Sequence, residues 1–418
     1  MNAGSAAARA ACLLALCTGT ARAQTLPSEP IALAQGRVTI SGDVAASFSC
    51  QSTEDRTCGP DAGFFNYTDY EHSATRLLRI DVSVAAKAGP HFALLGDVRT
   101  ENFDALRPYA LYLRIRPWTA RDFDIQIGRV PPTFGAFARR TYPNDNPLIG
   151  YPLAYQYLTT LRPDALPASA DELLSKRSRG WLVRYSLGDP AAAPGVPLVN
   201  AFRWDTGVQA HAVVGMLGAT ASVTTGTVSN PLFHDDNDGR QAAGRVELRP
   251  VAGLIVGTSA ARGPFVAQSA ARAARGEPRT DDLTQTAWGA DVEYSRDYYL
   301  VRWETIVSAW RLPVASTPPQ QLALDGPLTA VSTSIEGRYK LGPGLYAAAR
   351  FDHLGFSDIT GAAGTQPWDA PVTRVEVGGG YSIQRNLLLK AAYQHNTRDG
   401  GVLLRAAHFV TAQVVFWF

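Results

Sequence analysis

Along most of the chain, apolar and polar residues take turns. In ATRLLRIDVSVAAKAG, Leu78, Ile80, Val82 and Val84 form one row, while Leu77, Arg79, Asp81, Ser83 and Lys87 form the other. PYALYLRIRPW sets Tyr109, Leu111, Leu113 and Ile115 against Tyr112, Arg114 and Arg116. YYLVRWETIVSAW and AVSTSIEGRYK repeat the arrangement, with Val301, Trp303, Val331 and Ile335 on one side and Arg302, Glu304, Glu336 and Arg338 on the other. A period of two belongs to the β-strand. Eighteen such segments can be marked between residues 37 and 418, among them 179–188 and 198–205. The pair covering 198–217 is the weakest.

The alternation alone allows two architectures. A soluble sandwich turns its apolar rows inward; a membrane barrel turns them toward lipid and lines a wet lumen with the charged rows. Loop lengths separate the two. Tight connections (AGP at 88–90, WTA at 118–120, GP at 342–343, QR at 384–385) alternate with long ones at 49–74, 131–178, 229–240, 262–283, 311–328 and 356–371. Short turns at one end and long loops at the other are the layout of a transmembrane barrel. The expected fold class is therefore all-β: a transmembrane antiparallel β-barrel of about 18 strands, with 16 as the alternative count. The tryptophans are expected mostly near the membrane boundaries, where amphipathic rings sit at head-group depth.

The opening stretch MNAGSAAARAACLLALCTGTARA reads differently. Arg9 precedes a short apolar run from Ala10 to Cys17, and Ala21-Arg22-Ala23 is a small-x-small cleavage site. This predicts a signal peptide at 1–23, a periplasmic segment at 24–36 and the barrel at 37–418. No later run is long and apolar enough for a membrane helix, so any span must be made of strands.

Composition narrows the function. The charge is +2, from 39 basic and 37 acidic residues, which gives no support to nucleic-acid binding. The 37 glycines, 16 tyrosines and 16 phenylalanines favour strands and tight turns. Beyond the signal peptide only Cys50 and Cys58 remain, a closely spaced pair that reads as one disulfide in an exported protein. No G-x-S-x-G, H-E-x-x-H or P-loop motif is present, and the seven histidines are scattered without metal-ligand spacing. FHDDNDGRQ fails as a calcium loop, because His234 falls first and Arg245 twelfth. The expectation is a protein that is not an enzyme and needs no cofactor or metal.

The chain ends HFVTAQVVFWF, with Val410, Ala412, Val414, Phe416 and Phe418 at every second position. This resembles the Gram-negative outer-membrane β-barrel proteins, whose last strand ends on an aromatic residue. The resemblance implies a bacterial outer-membrane location among lipids and lipopolysaccharide, and an assembly signal in Val414, Phe416 and Phe418 read by the barrel-assembly machinery. The stretch 131–178 is similar in position and length to the porin loop that folds into the barrel and narrows the pore. GRVPPTFGAF, with Gly128, Arg129, Pro132, Phe134 and Gly135, also resembles a stretch of the phosphate-selective porins.

An infolded loop makes Arg129, Arg139, Arg140 and Arg162 constriction candidates, with Asp145 as countercharge. Arg79, Arg99 and Arg114 form the clearest basic cluster on the wall. The porin likeness implies passive diffusion of small hydrophilic solutes, with a mild anion preference, through a homotrimer. The competing expectation is a non-conducting barrel acting as adhesin, scaffold or partner-binding surface protein. A barrel hydrolase with a dispersed triad is the third.

Overall fold

The computed structural model describes residues 29–52, 57–59, 78–102, 106–201, 204–313, 324, 326–400 and 406–418. The expected signal peptide at 1–23 lies outside them. Among the described residues, sixteen long strands close an antiparallel ring. They are β1 Val38–Ser52, β2 Leu78–Ala88, β3 Phe92–Glu101, β4 Arg107–Ile115, β5 Phe123–Val130, β6 Asp205–Val214, β7 Leu217–Thr224 and β8 Gln241–Leu248. There follow β9 Leu254–Pro264, β10 Thr284–Arg296, β11 Tyr299–Trp310, β12 Leu328–Gly342, β13 Leu345–Phe356, β14 Val372–Gln384, β15 Leu387–Arg398 and β16 Ala406–Trp417. Each pairs with its neighbour, and β16 pairs with β1 from Asp43 opposite Trp417 to Ser52 opposite His408. Ile31–Leu33 adds a short strand against the start of β1.

The alternation faces as a membrane barrel requires. On β12, Ile335 is 47% exposed on the outside while Glu336 is 7% exposed on the inside. Val82, Leu111, Val301, Phe351, Val375 and Val410 likewise point outward, and Asp43, Arg79, Asp97, Arg245, Asp291 and Glu376 point inward. Apolar outside and charged inside reverses the order of a soluble protein. Tight turns collect at one end, several with a glycine at positive φ such as Gly89, Gly253 and Gly344. Exposed Trp118, Tyr298, Tyr299, Tyr339 and Tyr381 gather near the same end, at interface depth.

The count of about 18 gives way to 16 because two expected strands, 179–188 and 198–205, do not form in the wall; of the second only Asp205 joins it, as the first residue of β6. The first alternates in burial, with Val183, Tyr185 and Leu187 buried while Leu182 is half-exposed; in the second, Leu198, Val199, Asn200 and Ala201 are all buried. The apolar row, however, packs onto a core inside the barrel rather than onto lipid. The connection between β5 and β6 is therefore 131–204, longer than the 131–178 expected. Two tryptophans also depart from the boundary pattern. Trp310 and Trp368 are fully buried, with rings 6.0 Å apart, in that same interior core.

Candidate functional site: the occupied lumen

The connection 131–204 folds into the lumen and carries its own hydrophobic core. Phe137 lies 4.8 Å from Tyr155 and 5.5 Å from Tyr151, ring to ring. Leu153, Tyr157, Leu161 and Leu166 are at most 1% exposed, and they extend this core to Trp310, Phe356 and Trp368. Prolines at 131, 132, 143, 147 and 152 forbid long regular elements, so the segment keeps only short ones. These include a four-residue helix, α1 Leu153–Gln156, and α2 Ala170–Ser175. Ser169 caps α2 by accepting from the Glu172 amide at 3.1 Å, and the Glu172 carboxylate accepts from the Ala168 amide at 2.6 Å. A third helix, α3 Gln268–Arg275 in the loop after β9, buries Ala270, Ala271 and Ala274, and the Ala267 amide just before it donates to Pro163 O at 2.8 Å.

The wall holds this segment from nearly every side. Glu304 on β11 accepts from the Ala136 amide at 2.6 Å and the Tyr155 hydroxyl at 2.8 Å. Glu376 on β14 accepts from the Gly150 amide at 2.9 Å. Arg374 donates to Tyr151 O at 2.8 Å, and Lys390 on β15 donates to Asn146 O at 2.7 Å and to Pro143 O. Tyr142 donates to Asp97 on β3 at 2.9 Å, and Gln209 on β6 to Pro131 O at 2.9 Å. At the long-loop end, Asp369 accepts from the amides of Thr160 at 3.0 Å and Ser178 at 2.7 Å, and burial pushes its carboxyl up to about 6. Buried backbone donors need such acceptors, since an orphaned one costs about 1–3 kcal/mol.

Toward the tight-turn end the lumen stays polar. A cavity of about 220 Å³ lies there, lined by Phe137 and Arg140 of the segment and by Arg245, Glu247, Arg249, Asp291, Glu293, Arg302, Glu304 and Glu336 of the wall. Its charges are laced together: Arg245 with Asp291 at 2.6 Å, Arg302 with Glu293 at 2.8 Å and with Glu336 at 3.1 Å. Arg350 continues the ladder to Glu336 and Asp352.

The arginines singled out in the sequence separate here. Arg140 lines the cavity and pairs with Glu293 at 3.3 Å. Asp145 lies on the segment near Arg140. Arg139 sits in the short 3-10 turn Phe137–Arg139, and its side chain lies outside the described residues. Arg162 is fully buried and holds the segment together, donating to Asp164, Val183 O and Ala191 O. Arg129 lies on the outward row of β5 with Ile127, donates to Trp204 O at 2.8 Å and lies over the exposed Phe233 ring, away from the lumen. Arg79 pairs with Glu101 and donates to the Tyr151 hydroxyl; Arg99 pairs with Asp81 and covers the Tyr109 ring at 4.0 Å. Arg114 is half-buried beside Tyr112. The expected basic cluster is thus partly neutralised. Glu304, Glu376 and Lys390, which anchor the segment, look like ordinary lumen charges in the alternation; only the register shows what they hold.

Among the described residues, no group of three or more His, Cys, Asp or Glu side chains is arranged to hold a metal. Cys50 stands opposite Cys58 in the pairing of β1 with the short strand Thr57–Gly59. Phe418 exchanges two backbone hydrogen bonds of 3.0 Å with Gly42, completing the seam.

A closed sixteen-strand barrel, apolar outside, with tight turns at one end and an infolded segment in its lumen, has the fold of the outer-membrane porins. The chain is similar in structure to OmpT, an outer membrane protein of Vibrio cholerae, at 15% identity and a TM-score of 0.53, covering 95% of this chain and 100% of that one. It is similar to the anion-selective porin from Comamonas acidovorans at 10% identity and 0.53, covering 91% and 99%. It is also similar to the outer membrane channel DcaP of Acinetobacter baumannii at 13% and 0.51, covering 91% and 97%. No family model and no curated protein matches the sequence.

Proposed function

We propose that the protein is an outer-membrane channel through which small hydrophilic solutes diffuse passively, with the infolded segment as the selective barrier. The observation that carries this reading is the polar cavity of about 220 Å³ in the lumen, bounded by Arg140 and Phe137 of the segment. Charged rings at a narrow point set ion preference. Four arginines face five carboxylates around this cavity, so the near balance of charge makes ion selectivity weak. Enzymatic turnover has no place in this reading, and lipid or peptide hydrolysis by the purified protein would overturn it.

The same reading places the chain in the outer membrane after cleavage behind Ala23, in contact with lipids and lipopolysaccharide. Val414, Phe416 and Phe418 would serve as the signal for the assembly machinery. Cys50 and Cys58 would form a disulfide. A homotrimer is supported by likeness to the trimer form of the Vibrio cholerae OmpT.

The apolar core of the segment favours a second reading, a non-conducting surface barrel. Planar-bilayer recording decides between them. The wild type should give small, stepwise conductance, and a variant with residues 143–199 replaced by a short Gly-Ser linker should give much larger steps. A silent wild type beside a conducting deletion variant would select the non-conducting reading.

A further inference from the structure

On the outer face near the long-loop end, two histidines occupy positions normally given to apolar side chains. His395 on β15 and His408 on β16 are direct cross-strand partners. Each is partly exposed, His408 on the outward row of β16 with Val410 and Val414, and His395 on the outward row of β15 with Tyr393. Their Nδ1 atoms lie 3.2 Å apart, and the Tyr393 hydroxyl lies 2.6 Å from His408 Nδ1.

One nitrogen cannot serve both contacts well. A neutral imidazole Nδ1 either carries one proton or offers one lone pair, yet His408 Nδ1 faces a second Nδ1 and a hydroxyl at hydrogen-bond distance. A cation placed between the rings resolves the contact between the two histidines, because it takes one lone pair from each, and the Tyr393 hydroxyl then turns to a water on the metal. The spacing suits it: two nitrogens bound at 2.0–2.1 Å to one tetrahedral zinc lie roughly 3.3 Å apart. Both histidines stand on hydrogen-bonded strands, so the site is rigid before any ligand arrives.

We propose that His395 and His408, with Tyr393 beside them, form a surface site for a divalent transition metal of the zinc class. Two ring nitrogens are ligands, and the remaining positions on the metal are filled by water. Imidazole suits zinc, copper and nickel better than calcium or magnesium.

The test uses the purified full barrel in detergent, with any affinity tag removed, titrated with zinc by calorimetry. One zinc should bind per chain. His395→Ala and His408→Ala should each weaken binding at least about tenfold, and Tyr393→Phe by less. Calcium should give no heat at this site. Unchanged gel migration before and after heating reports that each variant is still folded. Equal zinc binding by wild type and the double histidine variant would overturn the proposal. So would no binding at all by folded wild type, which would leave a hydrogen-bonded histidine pair only.

Discussion

Asp369 shows how much one side chain in a loop can hold. Its carboxyl receives the Thr160 and Ser178 amides and so ties two distant points of the infolded segment to the connection between β13 and β14. Burial lifts its pKa from 3.8 to about 6. A carboxyl that binds its proton more tightly when folded contributes stability below about pH 4, and loses that contribution as pH rises through 6. Relative to Asp369→Asn, the wild type should lose on the order of 3 kcal/mol between pH 4 and pH 7; thermal unfolding of both proteins across that range measures it, and parallel curves would refute it. Gly42 is the other single position with a sharp role. A Cβ there would stand 2.7 Å from Phe418 Cε1, so Gly42→Val should displace the terminal ring and lower the folded yield. Gel mobility before and after heating reads that yield. In refolding from denaturant into detergent, without the assembly machinery, Phe418→Ala in the same background should recover part of it.

At the scale of elements, the infolded segment depends on a few acceptors on the wall. Glu304 satisfies both the Ala136 amide and the Tyr155 hydroxyl. Glu304→Ala orphans the amide, which should cost about 1–3 kcal/mol and loosen the segment. Single-channel recording should show larger or longer openings, whereas unchanged traces would place the barrier elsewhere. This element was also the hardest to read in the sequence. Strand identity was legible wherever an apolar row met lipid and the charges fell on the other row, as with Ile335 and Glu336 on β12. In 179–188 the same alternation belongs to a chain buried on an interior core, and period two does not say what an apolar row packs against. Arg162 and Arg129 carry equal charge in the sequence, yet one is sealed inside the segment and the other lies beyond it. That difference comes from backbone carbonyls, at Val183, Ala191 and Trp204, which no pattern of residue types reveals.

Over the whole molecule, on the channel reading proposed above, the balance of charge in the lumen governs what passes. Arg140→Gln frees Glu293, which also keeps Arg302, and should turn the channel toward cations. The reversal potential in a salt gradient measures this, and an unchanged value removes Arg140 from the ion path. Assembly is constrained as well. Lys390 near one side of the β1–β16 seam and Arg79 near the other both grip the same interior segment. The β1–β16 pairing closes the wall around its circumference, and the segment bridges that join from within. Docking the segment and sealing the first strand to the last therefore support each other, and loosening either should weaken the other.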